Sequence, residues 1–264
     1  MKSHLPSGLC FDGVPSIAPP VNEPVRAYAP GDATRTSLKA RLKSMAAECV
    51  DIPNFIGGEE VRTGDTRKVT MPHSHRETVA AFHLAGPTQL NQAVEAAARA
   101  KPSWEAFGWH ERAAIFMKAA DLLAGPWRDT INAATMLGQS KNIFQAEIDA
   151  ACEMADFFRF NAHFYQRIVA EQPISSAGVY NRVDHRPLEG FVLAITPFNF
   201  TAIAGNLCAA PAMLGNTVVW KPSDTQMLSA YYTYKLLEEA GLPPGVINLV
   251  AADGPVAGQA LLTQ

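Results

Sequence analysis

Between Glu189 and Lys221 the chain runs GFVLAITPFNFTAIAGNLCAAPAMLGNTVVW without a single Asp, Glu, Lys or Arg. A run this long and uncharged has to be buried, and its length alone would allow a transmembrane helix. Its punctuation excludes that. Pro197 and Pro211, with Asn199, Asn206 and Asn216, cut it into pieces too short to cross a bilayer, and their polar groups need partners that lipid does not supply. A buried strand, helix and strand account for the same composition. FVLAIT is a short apolar run suited to a parallel strand and is closed by Pro197, while TVVW reads as a second strand after a helical segment. Open α/β sheets bind ligands at the carboxyl ends of their strands, so Pro197, Phe198, Asn199 and Lys221 fall at a ligand edge rather than in the floor of the fold.

The rest of the chain supports an α/β reading. Its 264 residues are 48% hydrophobic and 18% charged, enough to bury a substantial core. The formal charge of −3 supplies no basic surface, and no Lys/Arg cluster alternates with aromatics, so nucleic acid is not an expected partner. Cys10, Cys49, Cys152 and Cys208 are far apart, with neither CxxC nor zinc-type His spacing, which predicts no disulfide framework and no metal. Residues 1–25 carry Lys2 as their only basic side chain and have no apolar block of signal length. A reducing compartment fits, the cytoplasm first, with the mitochondrial matrix as the alternative.

Prolines divide the amino-terminal part. Six of them in residues 1–30 predict an extended arm, followed by a helix over Ala33 to Glu48. IPNFIGGEEVRTGDTRKVTMPHSHRETVAAFHLAG alternates as strands and turns do, with GG and TGD as turn centres. Helices are then predicted from a Thr88 cap to Pro102, over Arg112 to Ala124, and from Pro126 to near Gly138. The longest carries Phe144, Ile148, Ala151, Ala155, Phe158, Ala162, Tyr165 and Val169 on one stripe and ends at Pro173. ISSAGVYNRVDHRPLE, residues 174–189, is polar and β-leaning. After Lys221 come a helix over Thr225 to Ala240 and a third strand, VINLV, expected at an open edge of the sheet. Three parallel strands with two crossovers make half of a doubly wound nucleotide fold.

Few residues here could carry chemistry. The Asn199 amide, just past a strand, could donate to an oxygen that gains negative charge, or could merely satisfy a turn. Lys221, in WKPS, could bind ribose hydroxyls or phosphate, or could snorkel from the strand end. Gly254 and Gly258, in DGPVAG, open a final helix where a ligand could approach closely, although the chain has neither GxGxxG nor a P-loop.

Taken together, ITPFNF, WKPSDT, EAGLPPGVINLV and DGPVAG resemble, in order and spacing, the amino-terminal half of the NAD(P)-dependent aldehyde dehydrogenases. GQSKNIFQAEIDAACEMADFFRFNA, QPIS and RPLEGFVLAITPFNFTAI resemble the 1-pyrroline-5-carboxylate dehydrogenase branch, which oxidises glutamate semialdehyde to glutamate; the likeness runs from about Asn22 to the last residue. The resemblance implies a Rossmann-like NAD-binding domain, present as an incomplete doubly wound parallel sheet. Its parts are an arm (1–30), a helical and small-strand part (31–173), a β linker or oligomerisation segment (174–189) and the first half of a βαβαβ unit (190–264), with no catalytic domain. It implies an oxyanion donor in Asn199 and NAD contacts from Thr196 and Lys221. Ser223 or Asp224 would lie near the adenosine ribose, Ile195, Pro197 and Phe198 along the cofactor cleft, and Gly254 and Gly258 on the adenine side. Glu147 and Phe200 would stand near the semialdehyde pocket, although Glu147 could equally be a helix-surface acid. A small aldehyde substrate and a homo-oligomer of the complete enzyme are implied as well.

The family also needs a thiolate nucleophile and a glutamate base, both downstream of anything matched here, and none of the four cysteines is in a matching motif. Inactivity of this polypeptide by itself is therefore expected. Two alternatives remain open: a cofactor-binding or assembly module without catalysis, and another semialdehyde dehydrogenase.

Overall fold

A computed structural model describes residues 13–262. Within them the arm has no helix or strand up to Pro30 and runs along a later helix, where Asp156 accepts from the Asn22 side chain at 2.8 Å and from the Glu23 amide at 2.7 Å. The portion of the expected arm over residues 1–12 lies outside the described residues.

Helix α1 (Ala33–Ala47) leads into β1 (Val50–Ile52), β2 (Asn54–Ile56), β3 (Glu59–Val61), β4 (Thr66–Met71) and β5 (Ser74–His83). The GG turn is real: Gly57 and Gly58 have φ of 63° and 86°, a backbone that favours glycine, and they join β2 to β3. Four helices follow, α2 (Pro87–Glu105), α3 (Trp109–Ala124), α4 (Arg128–Gln139) and α5 (Ile143–Ala146), and a π-turn over Glu147–Glu153 joins α5 to α6 (Met154–Ala170). Then come β6 (Val192–Ile195), α7 (Thr201–Met213), β7 (Val218–Lys221), α8 (Met227–Ala240), β8 (Ile247–Leu249) and α9 (Gly254–Leu261).

The expected βαβαβ unit is present. β6 pairs parallel with β7, and β7 with β8, with Ile195 opposite Lys221 at the carboxyl ends. Both faces are covered, as a parallel sheet requires. Val219 packs in one cluster with Leu90 and Ala97 of α2 and Leu261 of α9, while its neighbours Val218 and Trp220 belong to the opposite core with Ala209 of α7 and Leu237 of α8. All four residues of β7 are buried.

The open edge differs from expectation. The sheet order is β3-β2-β8-β7-β6, so β8 is covered by β2, antiparallel at Phe55 and Leu249, and the two edges belong to β3 and β6. Buried polar groups made this join invisible to hydrophobic pattern: Asn54 Oδ1 accepts from the Ala251 amide at 2.8 Å and Asn248 Oδ1 from the Gly57 amide at 2.8 Å. The sheet of residues 190–264 thus recruits two strands from the 31–173 part.

Helix ends shift for local reasons. Thr88 is not the cap of α2: Gly86 precedes Pro87, and Gln89 Oε1 accepts the Gly86 amide at 3.1 Å. Pro102 does not end α2, because buried Trp104 is anchored through its indole N–H to the Ala212 carbonyl at 2.9 Å and carries the helix to Glu105. α3 starts at Trp109, three residues before Arg112, where Glu111 accepts the Gly108 amide. The stripe on the long helix holds for Ala151, Ala155, Phe158, Ala162 and Tyr165, but Phe144 and Ile148 are exposed. A π-turn takes more residues per revolution than an α-helix, so everything upstream is rotated out of register. Residues 174–189 form no strand within the chain beyond a single bridge between Ser176 and Val179. Among the described residues no helix is long and apolar enough to cross a membrane.

Candidate functional site

The loop after β6 is fixed at both ends. Thr196 is buried, its amide donates to the Lys221 carbonyl at 3.1 Å, and its hydroxyl accepts the Trp220 indole N–H at 2.9 Å. The Phe200 carbonyl accepts from Gln226 Nε2 at 2.9 Å, and the Lys141 ammonium lies 4.1 Å from the Phe200 ring centroid. Thr201 Oγ1 meets Thr135 Oγ1 and Gln139 Nε2, both at 2.8 Å. Phe200 is the N-cap of α7 and has no side-chain acceptor, so the first amides of that helix would be orphaned. Asp149 solves this from the π-turn. Its buried carboxylate accepts from Thr201 N and Ala202 N, each at 3.2 Å, and pairs with Lys141 Nζ at 2.6 Å. Between these fixed points, Asn199 is exposed and its carboxamide has no hydrogen-bond partner among the described residues. Ile195 and Phe198 are exposed beside it and Pro197 half-buried.

The loop after β7 presents a different anomaly. Lys221 is 8% exposed, and the partner of its ammonium is the Pro222 carbonyl at 3.3 Å; it has no carboxylate among the described residues. Buried charges are ordinarily paired, so this one is arranged for something else. Ser223 faces Thr225, hydroxyl to hydroxyl at 3.3 Å, and Asp224 is held by Arg67 at 3.0 Å. After β8, a Cβ built on Gly254 or Gly258 meets nothing within 4 Å, so this chain's own packing does not require glycine at either position. The three carboxyl-end loops therefore bring together Ile195, Thr196, Pro197, Phe198, Asn199, Lys221, Ser223, Asp224, Gly254 and Gly258 along one sheet edge, with Phe200 adjoining.

Glu147 is placed differently. It is 1% exposed and bound to Arg128, to Tyr28 OH at 2.9 Å, to Asn132 Nδ2 at 2.8 Å and to the Arg26 amide at 2.8 Å. Burial pushes its carboxyl up, but the Arg128 guanidinium and the amide donors outweigh that and hold it below the ordinary value. Burial and the Glu147 charge raise Tyr28 to about 12. Glu147 thus ties the arm to α4; it is not the surface acid its helical position allowed, and it shares no hydrogen bond with the Asn199 loop. None of the described cysteines is set up as a nucleophile beside that loop. Burial raises the Cys152 thiol to about 12 and raises Cys208 further from reactivity, and Cys49 lies at the end of α1. No cluster of metal-ligating side chains exists among the described residues.

Comparisons with known proteins give the family. The sequence profile of the aldehyde dehydrogenase family matches residues 60–264. The chain belongs to the aldehyde dehydrogenase family. It is 52% identical over 237 residues to a mitochondrial delta-1-pyrroline-5-carboxylate dehydrogenase of Rattus norvegicus, covering 90% of this chain and 42% of that one. An Agaricus bisporus protein of the same name is 49% identical, over 93% of this chain and 45% of its own length. Among solved structures, the Mycobacterium tuberculosis delta-pyrroline-5-carboxylate dehydrogenase bound with NAD superposes with a TM-score of 0.95 at 53% identity, covering 96% of this chain and 48% of that one. The chain spans less than half the length of the relatives it matches.

Proposed function

We propose that this chain forms the cofactor half-site and oxyanion donor of a delta-1-pyrroline-5-carboxylate dehydrogenase, which oxidises L-glutamate γ-semialdehyde to L-glutamate with NAD. The observation that carries the reading is the buried, carboxylate-free ammonium of Lys221 one strand away from the free amide of Asn199, both at the carboxyl edge of a parallel sheet. NAD, when bound, accepts the hydride that leaves the aldehyde carbon. The residues present fit that group: Thr196 and Lys221 lie at the paired carboxyl ends of β6 and β7, Ser223 and Asp224 follow at the second, and Gly254 and Gly258 leave the third loop open. Asn199 donates to the carbonyl oxygen as it gains charge, and it costs little reorganisation because Asp149, Lys141 and Gln226 already hold its neighbours. Phe200, under Lys141, forms an apolar wall beside it. Residues 174–189, with Ile174, Tyr180 and Leu188 exposed and hardly any strand pairing inside the chain, suit β-pairing with a second subunit.

The test joins this chain in frame to the carboxyl-terminal half of the Mycobacterium tuberculosis relative and follows reduction of NAD. Glutamate semialdehyde is expected to be oxidised in preference to succinate semialdehyde. The reverse preference, or a joined enzyme active without Asn199, would remove the reading.

A further inference from the structure

Two glutamines behind the carboxyl edge join the loop after β6 to the loop after β7. Gln226 closes a 3₁₀ turn over Asp224–Gln226, directly after the segment that carries Lys221 and Ser223, and is 1% exposed. Its Nε2 donates to the Phe200 carbonyl at 2.9 Å. Gln139, at the end of α4, donates through Nε2 to Thr201 Oγ1 at 2.8 Å and to Ser229 Oγ at 2.9 Å, and Ser229 donates in turn to the Gln226 carbonyl at 3.2 Å. The bonds close a ring that runs from Gln139 to Thr201, back one residue to Phe200, across to Gln226 and through Ser229 to Gln139 again.

The two amides are not needed to satisfy the groups that accept from them. The Phe200 carbonyl already receives the Ala204 amide at 3.2 Å, Thr201 Oγ1 already meets Thr135 Oγ1 at 2.8 Å, and Ser229 is engaged with the Gln226 carbonyl. The glutamines themselves are left worse off, because Oε1 of each is buried without a partner among the described residues. A buried acceptor without a donor is destabilising, and an apolar side chain of the same length would avoid it. Local stability therefore does not account for these amides. Their bonds fix the Phe200–Thr201 step, next to Asn199, against the turn that follows Lys221.

We propose that Gln226, backed by Gln139, is a positioning residue that couples the two loops, so that ordering of the loop after β7 by NAD also sets the direction of the Asn199 amide. This rests on the cofactor half-site proposed above and adds the link between its cofactor side and its oxyanion donor.

Amide hydrogen exchange at Thr201, Ala202 and Ala204 in the purified chain, with and without saturating NAD, tests it. These amides open α7, and their acceptors are Asp149 and the Phe200 carbonyl. In the wild type NAD should slow their exchange by about tenfold. Gln226→Met keeps the length of the side chain and removes the orphaned oxygen; NAD should bind it within about threefold of the wild type, yet the slowing should be lost. Gln139→Leu breaks the other side of the ring and is a second variant with the same expected loss. Both should melt at or above the wild type. In the joined enzyme Gln226→Met should lower kcat by about tenfold, because a misplacement of about 1 Å can cost up to about 10², while the apparent KM for NAD hardly moves. Slowing by NAD that persists undiminished in both variants overturns the proposal, as does a wild-type chain whose α7 amides ignore bound NAD. So does a Gln226→Met enzyme that melts well below the wild type but keeps its kcat, which would make the glutamine purely structural. A folded wild-type chain that does not bind NAD overturns the half-site and this proposal together, whereas the other failures leave the half-site standing.

Discussion

Two carboxylates two residues apart on the same π-turn face opposite parts of the molecule. Glu147 turns toward the arm and is locked by an arginine, an asparagine, a tyrosine and a backbone amide; Asp149 turns toward the Asn199 loop and is locked by a lysine and two helix-end amides. Both are buried, and both are paired, which burial demands. The difference lies in what each partner does next. Everything Glu147 touches is itself packed and closed. Asp149 instead holds a loop whose central amide is left unpartnered in solvent. A buried acid at a ligand edge need not contact a ligand, and the one that matters for the site is the one that fixes the donor's backbone.

Removing Asn199 tests the open side most severely. In the joined enzyme, Asn199→Ala should lower kcat by about 10² to 10³, the scale of one lost oxyanion donor, with a smaller change in NAD affinity. An unchanged kcat would reduce Asn199 to a turn residue and erase the functional half of the contrast. On the closed side, Glu147→Ala leaves buried Arg128 with Glu23 as its remaining carboxylate partner. Chemical denaturation of the chain should show a loss of about 3 kcal/mol, the low end for breaking a buried pair, because Glu23 still faces the guanidinium. NAD binding by the surviving folded fraction should hardly change, and a selective loss of cofactor affinity would place Glu147 in the site after all.

Asp149→Asn comes next in size. The isosteric amide keeps an acceptor for one helix-end amide but loses the charge that Lys141 neutralises, so stability should fall by about 1–3 kcal/mol. In the joined enzyme kcat should fall with little effect on the apparent KM for NAD. Equal effects on both would make Asp149 a general structural acid like Glu147.

The smallest expected effect is in pH. The Glu147 carboxyl is lowered from an ordinary 4.5, so its contribution is complete above that value and is lost as pH falls through the depressed folded value. Stability measured from pH 6 downward should decline less steeply in Glu147→Gln than in the wild type, and identical slopes would show that the pair does not titrate with unfolding.

Much of this architecture was legible in sequence because hydrophobic pattern and punctuation report local structure. The uncharged run with Pro197 gave β6, α7 and β7, and glycine marked the β2 to β3 turn. What stayed hidden depends on polar side chains acting across large sequence separations. Asn54 joining β2 to the loop after β8 has no periodic signature, nor has Asp149 capping a helix some 50 residues away. In an α-helix, residues 147 and 149 would be about 200° apart, so their joint burial contradicts a one-faced helix and could have been a signal. Lys141 was missed because it acts on the loop through the Phe200 ring and through Asp149, itself unforeseen, and Gln226 because its partner is a backbone carbonyl. Phe144 and Ile148 misled for the same reason that Asp149 was missed.

The π-turn also sets what changes this segment can absorb. Deleting one residue from 147–153 would relax the wide turn to ordinary helix and cost little by itself, because the wide turn holds about one residue more than an α-helix needs for the same rotation, yet it would reset the directions of the side chains inside the turn. Glu147 and Asp149 could not then both keep their partners, and the arm or the Asn199 loop would come loose. Surface loops of the chain should drift in length over evolutionary time; this stretch, although helical and without glycine or proline, should hold its length to the residue.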